Sequence, residues 1–291
     1  MNALAVTHLI NGILMIVIGV GMGILLIRHF GTGWRLWWIG ATTFIISQIG
    51  HIPFNALVGL FMRRGAIPAP PDEYSLVFTA VFLGLSAGIW EECTRYAAYR
   101  WWAVDARSWP KGLVMGAGHG GIEAIILGLL VLYTYVQMLA LRGADLTQTI
   151  PPDLIEMAQQ QINAYWSLPW YTTFLGSIER LFAMIAQLTL SVLVLQVFTR
   201  KRVYWLFVAI FWHALIDALA VYTFNTRGAN VAEYMLAVVT VLNLVVIMLL
   251  KDKPTPAEVE IPSDHPRSQI SASPLPEIAE TQESLERTRY N

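Results

Sequence analysis

Charged side chains are scarce in this sequence. Asp, Glu, Lys and Arg make up 13% of its 291 residues, whereas hydrophobic residues make up 56%. About a quarter of the residues in a typical soluble domain are charged, so the composition excludes an ordinary soluble protein and indicates an integral membrane protein. The formal net charge of -1 leaves no basic surface for phosphates, and we therefore expect no nucleic-acid partner.

Cysteine is scarce as well, and basic residues are absent from the first part of the chain. The one cysteine in the sequence, Cys93, allows neither an internal disulfide nor a zinc site made of cysteines. We interpret it as a small buried apolar residue. No Lys or Arg precedes Arg28, so the first apolar segment lacks the basic start of a secretory signal and is predicted to remain as a membrane span.

Long apolar runs are abundant, and each reaches the ~20 residues that a helix needs to cross a bilayer. They predict an all-α, polytopic transmembrane bundle of about seven spans within residues 1–250. The predicted spans are 5–27, 34–61, 74–104, 111–141, 173–199, 203–224 and 231–250. With the N-terminus outside, ten Lys and Arg residues lie on inner connections and four on outer ones. The positive-inside rule then predicts a multi-pass cell-membrane protein with a cytoplasmic C-terminus.

Two segments differ from the spans. The connection at about 142–170 has an amphipathic spacing, which predicts a helix lying at the outer membrane interface. The stretch 251–291 is rich in proline, serine and acidic residues and lacks apolar periodicity, so a disordered cytoplasmic tail is predicted.

Titratable residues interrupt three of the predicted spans. They are Glu91, Glu92 and Arg95 on the third span, His119 and Glu123 on the fourth, and His213 and Asp217 on the sixth. A rise of ~1.5 Å per residue places Glu91, His119 and His213 at roughly 12 to 20 Å from the proposed inner ends of their helices. Because charges are costly in hydrocarbon, we interpret this match in depth as one site that opens toward the cytoplasmic half of the membrane.

Glycines accompany these residues at helical spacing. Gly84 and Gly88, and likewise Gly116 and Gly120, form small-xxx-small patterns that allow helix backbones to approach closely. The remaining histidines are interpreted as structural, including His51, which lies deeper toward the predicted outer side.

The polar residues suit two routes of hydrolysis. In the first, zinc is bound by ligands drawn from His119, Glu123, His213 and Asp217, and a further glutamate takes a proton from water. In the second, no metal takes part: a glutamate activates water, a histidine assists it, and a His/Asp pair stabilises the oxyanion. Arg95 is expected to support the site by pairing with one of the two glutamates.

Three motifs resemble the signature motifs of the YhfC group of bacterial membrane peptidases, which is similar to the wider CAAX prenyl endopeptidase and PrsW-type clan. The motifs are Glu91-Glu92-x-x-Arg95-Tyr96, Gly118-His119-Gly120-Gly121-x-Glu123-Ala124 and His213-x-x-x-Asp217. The resemblance implies that Glu91 or Glu92 activates water, His119 assists, and His213 with Asp217 stabilises the oxyanion or binds metal. Zinc is a possible cofactor on this basis, and the choice between the two glutamates stays open, with Glu91 favoured.

The same resemblance indicates the surroundings of the reaction. It implies an intramembrane endopeptidase that acts in the lipid bilayer on a membrane peptide or protein. Gln187, on the fifth span, is level with the site by the same helical rise and is a candidate supporting residue.

Two other functions fit the same residues. A proton-coupled transporter also places Glu, His and Asp side chains in the bundle interior, although such carriers have repeated halves that we do not find in the sequence. A non-catalytic membrane module would keep the polar residues for packing alone. Convergence of a glutamate carboxylate with His119 and His213 in the folded chain would favour the peptidase.

Overall fold

The computed structural model describes residues 3–148 and 150–251. Eight α-helices account for most of this part of the chain, which contains no β-strand. The helices are α1 (Ala3–Phe30), α2 (Trp34–Arg63), α3 (Ser75–Trp101), α4 (Trp109–Leu141), α5 (Ile155–Ser167), α6 (Leu175–Thr199), α7 (Tyr204–Arg227) and α8 (Ala229–Leu249). In hydrocarbon a helix satisfies every backbone N–H and C=O within its own segment, and long apolar runs therefore adopt this form.

Seven of the described helices, all except α5, are long and apolar enough to cross a membrane. The predicted all-α bundle of seven spans is confirmed, and each predicted boundary lies within three residues of the observed helix end. The predicted tail, 251–291, lies outside the described residues apart from Lys251. The division into a bundle and a tail therefore stays a prediction.

The connection between α4 and α6 contains α5, a helix of 13 residues that is too short to cross a membrane. Ile162 is buried, whereas Met157 on another face is 50% exposed. The segment 142–170 thus contains a helix with one buried face, as its amphipathic spacing predicts. The side of the membrane on which α5 lies stays a prediction.

Helix α6 lies at the centre of the bundle. The most apolar 18-residue window of its span is 72% buried, whereas the corresponding windows of the other spans are 39% buried at most. It packs against α4, α8, α7, α1 and α3, while α3 packs against α7 and α2 packs against α4. These pairings bring the polar residues of the third, fourth and sixth predicted spans around one side of α6.

The glycine patterns lie at close helix contacts. Gly84 and Gly88 face α7, where a Cβ atom on Gly88 would come 2.7 Å from the carbonyl oxygen of Ile210. Gly116 and Gly120 face α6, where an added Cβ would also come within 3.0 Å of neighbouring atoms. Small residues here let the helix backbones approach one another, which positions the site residues that the same helices carry.

Cys93 is exposed on the surface of the bundle, beside Ile46, Trp90 and Trp101. The interpretation of this residue as buried is therefore wrong. One step along a helix turns the side chain by about 100°, so Cys93 points outward although the preceding Glu92 points inward. On a face toward lipid, a thiol serves as a small apolar group.

Candidate active site

Glu91 lies at the centre of the converging polar residues. Its Oε2 atom lies 3.0 Å from Nε2 of His119 and 3.9 Å from Nε2 of His213. All three side chains are buried, and they come from α3, α4 and α7. The structure thus brings together one glutamate carboxylate and the two imidazoles that the depth argument predicts to meet.

The ring of His119 is held from the side opposite Glu91. The Thr43 hydroxyl donates its one hydrogen to the carbonyl oxygen of Gly40, at 2.6 Å. Its oxygen, 2.8 Å from Nδ1 of His119, then accepts the Nδ1–H. In a neutral ring this leaves the Nε2 lone pair directed at Glu91, an arrangement that a shared proton or a bound cation stabilises.

The ring of His213 is held in the same way by a different group. Its Nδ1 lies 2.7 Å from Oε1 of Glu92. An ionised carboxylate only accepts hydrogen bonds, so Nδ1 carries the hydrogen. Nε2 of His213 then faces Oε2 of Glu91 at 3.9 Å and Oδ2 of Asp217 at 3.5 Å. The two imidazoles therefore both present Nε2 to the space around Glu91.

Glu92 has surroundings unlike those of Glu91. Its carboxylate pairs with Arg95 at 3.0 Å, and both side chains are fully buried. A second nitrogen of the Arg95 guanidinium donates to Oε1 of Gln187. Glu92 is thus enclosed by a cation and an imidazole, whereas Glu91 faces a cavity.

Glu123 lies nearby but binds other groups. Its carboxylate pairs with Arg180 and accepts a 3.1 Å hydrogen bond from Nε2 of Gln187. Arg180 also pairs with Glu179 at 2.6 Å. Among the described residues, no hydrogen bond or ion pair joins Glu123 to His119 or His213. Gln187, predicted to support the site, touches both Glu123 and Glu91, the latter at 3.4 Å.

The donor atoms suit a zinc ion by type. Along the row His119 Nε2, Glu91 Oε2, His213 Nε2 and Asp217 Oδ2, successive distances are 3.0, 3.9 and 3.5 Å. Imidazole Nε2 atoms whose Nδ1–H is held by another group are typical metal ligands.

The side chains in the row from His119 to Asp217 contact one another directly. Within residues 3–148 and 150–251, no set of three or more His, Cys, Asp or Glu side chains already has metal-binding geometry. The fit to zinc therefore rests on the kinds of donor atoms.

A cavity of about 120 Å³ adjoins Glu91 and lies between α3, α4, α6, α7 and α8. Four carboxylates and one guanidinium line it, from Glu91, Glu123, Glu179, Asp217 and Arg180. The excess of negative charge favours a cation in this space.

The cavity extends toward one end of the bundle. It shares Glu179, Ala220 and Leu236 with a second cavity that reaches Phe224 and Ala229, where α7 ends and α8 begins. The predicted orientation assigns this end to the outside. In that orientation the shared lining runs toward the outer side, opposite to the opening that the depth of the polar residues predicts.

The sequence reasoning missed the contribution of α2. Thr43 contacts His119, Gln48 donates to Glu91 at 3.1 Å, and His51 lies next to Gln48. Polar residues within this apolar span could have indicated that α2 contributes to the site, since polar groups in membrane helices need partners. Their partners lie on α3 and α4, however, and the sequence does not specify which helices pack together.

The fold and the site together define a multi-pass membrane protein with a buried carboxylate–imidazole centre. The chain belongs to the YhfC family, since the family described as YhfC intramembrane metalloprotease matches residues 14–242. It is also 30% identical over 251 residues to the uncharacterized membrane protein YhfC of Bacillus subtilis (strain 168), covering 83% of this chain and 94% of that protein. No solved structure matches the chain. The predicted resemblance to this family is confirmed.

Proposed function

We propose that this protein is an intramembrane endopeptidase that hydrolyses a peptide bond of a membrane-associated peptide or protein. The observation that carries the proposal is the position of the Glu91 carboxylate. Its Oε2 lies 3.0 and 3.9 Å from the Nε2 atoms of two oriented imidazoles. A carboxylate beside two imidazoles in a cavity supports proton transfer to and from a water molecule.

Glu91 is the proposed general base. It takes a proton from the attacking water, whose oxygen forms the bond to the scissile carbonyl carbon. The same carboxyl then gives that proton to the leaving amine nitrogen as the carbon–nitrogen bond breaks. Glu92 is excluded from this role in the proposal because it pairs with Arg95 and holds the Nδ1–H of His213.

The proposed metal-binding residues are His119, His213 and Asp217. These residues would hold a zinc ion, and the ion would supply a Lewis acid for the water and the scissile carbonyl. Thr43 and Glu92 fix which ring nitrogens face the cavity. Glu123, a candidate ligand by sequence, is left out because its carboxylate is bonded to Arg180 and Gln187.

The test uses full-length protein in lipid nanodiscs. A library of synthetic peptides, each with one apolar segment and polar flanks, serves as the substrate probe, and mass spectrometry identifies cleaved bonds. We expect Glu91→Gln to lower kcat by at least about 10³-fold, and His119→Ala and His213→Ala to lower both activity and zinc content. Glu156→Gln on α5 and His29→Ala at the end of α1, both exposed, are the matched controls.

The outcomes separate the possible functions. Undiminished cleavage in all three site variants would contradict the proposed site. Full activity after removal of all metal would favour the route in which the same residues act without zinc. Absence of cleavage together with proton flux into vesicles that depends on Glu91 would favour the transporter.

The membrane orientation is a further part of the proposal. We place the N-terminus outside and the end of α8 at the cytoplasmic face, supported by the distribution of Lys and Arg. In a Cys93→Ser background, a cysteine at Gly143 should react with an impermeant thiol reagent added to intact cells, and one at Lys201 should not. The reverse pattern would contradict the orientation.

A further inference from the structure

Helix α2 carries a row of hydrogen-bonded side chains that ends on Glu91. Nε2 of Gln48 lies 3.1 Å from Oε1 of Glu91. Nδ1 of His51 lies 3.4 Å from Oε1 of Gln48, and Nδ2 of Asn55 lies 2.8 Å from Nε2 of His51. Residues 48, 51 and 55 share one face of α2, so a single helix presents the whole row to α3.

The chemistry of the partners gives this row a direction. The Glu91 carboxylate accepts only, so the Gln48 amide turns its nitrogen toward Glu91 and its oxygen toward His51. An amide oxygen also accepts only, which places the hydrogen of His51 on Nδ1. Nε2 of His51 then accepts from Nδ2 of Asn55 at 2.8 Å and also lies 3.1 Å from the hydroxyl of Ser86 on α3. Each donor in the row therefore points toward Glu91, and the row favours one orientation of the Gln48 amide.

A second amide approaches Glu91 from α6. Oε1 of Gln187 accepts from Arg95, which turns Nε2 of Gln187 toward Oε2 of Glu91 at 3.4 Å. Each carboxylate oxygen thus receives one amide N–H, one from α2 and one from α6. Two such bonds restrict rotation of the carboxylate without adding a positive charge next to it.

Helix α2 takes no part in the lining of the cavity next to Glu91, whose described lining residues belong to α3, α4, α6, α7 and α8. Gln48 reaches the cavity through its hydrogen bond to Glu91, and His51 reaches Gln48. Polar residues between membrane helices also serve simply to join the helices. A purely joining role would affect stability, whereas a positioning role would affect the rate of the chemical step.

We infer that Gln48 and His51 are positioning residues that hold the Glu91 carboxylate in the orientation that the reaction requires. This inference rests on the proposed peptidase function and adds two residues of α2 to it. Gln48 acts directly on Oε1 of Glu91. His51 acts one step further away, by keeping the Gln48 amide from turning its oxygen toward the carboxylate.

The test measures kcat and KM separately, using full-length protein in nanodiscs and the library peptide that the wild type cleaves fastest. We expect Gln48→Leu and His51→Phe to lower kcat about 10- to 100-fold, as is typical when the partner of a catalytic group is lost, and to leave KM within about twofold. His51→Asn should recover activity, because its Nδ2 takes the place of Nδ1 and donates to Gln48. Thr42→Val is the matched control, since this hydroxyl bonds to Trp38 of its own helix.

The results distinguish this inference from the proposed function. Wild-type protein that cleaves no peptide in the library would overturn the proposed function and this inference with it. An active wild type with unchanged kcat in Gln48→Leu and His51→Phe would overturn the positioning role alone. Equal losses in His51→Asn and His51→Phe, or lower thermal stability with unchanged kcat, would also overturn it and indicate helix packing.

Discussion

Glu91 and Glu92 are neighbours in the sequence but lie in different surroundings. Glu91 faces a cavity and two imidazole Nε2 atoms, whereas Glu92 is fully buried against Arg95 at 3.0 Å. Successive residues of a helix point about 100° apart, so one residue meets the space between α4 and α7 while the other meets Arg95. This difference separates a candidate proton carrier from a residue that orients its neighbours.

Glu92→Gln should destabilise the protein far more than Glu91→Gln. Removing one partner of a buried ion pair leaves an unpaired charge, which costs about 3 to 5 kcal/mol. The Arg95 side chain is fully buried, and its other partner, Gln187, carries no negative charge. Thermal unfolding in detergent, followed by tryptophan fluorescence, measures the difference, and equal unfolding temperatures in the two variants would contradict this assignment.

Thr43→Val should weaken zinc binding by about 10- to 100-fold, since outer partners of metal-bound histidines have effects of this size. The valine has a similar shape but cannot accept the Nδ1–H of His119. Titration of metal-free protein with zinc in competition with a chelating dye gives the affinity. Thr43→Ser keeps the hydroxyl and is expected to bind zinc as the wild type does; a similar loss in both variants would argue against this hydrogen bond.

Gly88→Ala should separate α3 from α7 and thereby Glu92 from His213. The added methyl would lie 2.7 Å from a backbone oxygen of α7, and overpacking of this kind costs about 1 to 3 kcal/mol. Both the unfolding temperature and the cleavage rate are expected to fall. Gly21→Ala on α1 is the control because its added methyl would have no neighbour within 4 Å. Equal effects at the two positions would contradict the proposed role of close packing.

Arg35→Gln should have a small effect on stability that depends on pH. The Arg35 guanidinium donates to Asp105, which lowers the pKa of this carboxyl below its ordinary value. The pair therefore stabilises the fold at pH values above the unfolded carboxyl pKa. This contribution is lost as the pH falls through the lower, folded-state pKa. Unfolding curves for the two proteins should differ more at neutral pH than in strong acid, where only the hydrogen bond from Arg35 to the carbonyl oxygen of Trp102 still distinguishes them. A difference that grows in acid would contradict this assignment.

The sequence was sufficient to predict the helices because the bilayer strongly restricts the conformations that a spanning segment can adopt. Apolar runs of ~20 residues predict spans directly, and all seven are found among the described residues. Helical rise was also sufficient to predict that Glu91, His119 and His213 lie at similar depth. The direction in which a side chain points was harder to predict. Cys93 was expected inside the bundle and is exposed, because the turn of about 100° per residue decides where the side chain points and local composition does not.

The network around Glu91 was not predictable in the same way. Gln48, Thr43 and His51 belong to α2, which carries none of the three motifs. Thr43 and Gln48 contact residues at least 43 positions away in the sequence, and His51 contacts Gln48. The same holds for Glu123, which shares a helical face with His119 but pairs with Arg180 from α6.

By itself, the sequence determined that this chain is a seven-span helical membrane protein whose polar site residues lie at one depth. The reason is that hydrophobic length and helical rise are local properties. The tertiary structure decided which carboxylate meets the two imidazoles, which one is enclosed by Arg95, and which glutamines hold Glu91. These choices depend on how neighbouring helices are rotated and paired, and close packing between distant segments sets that arrangement.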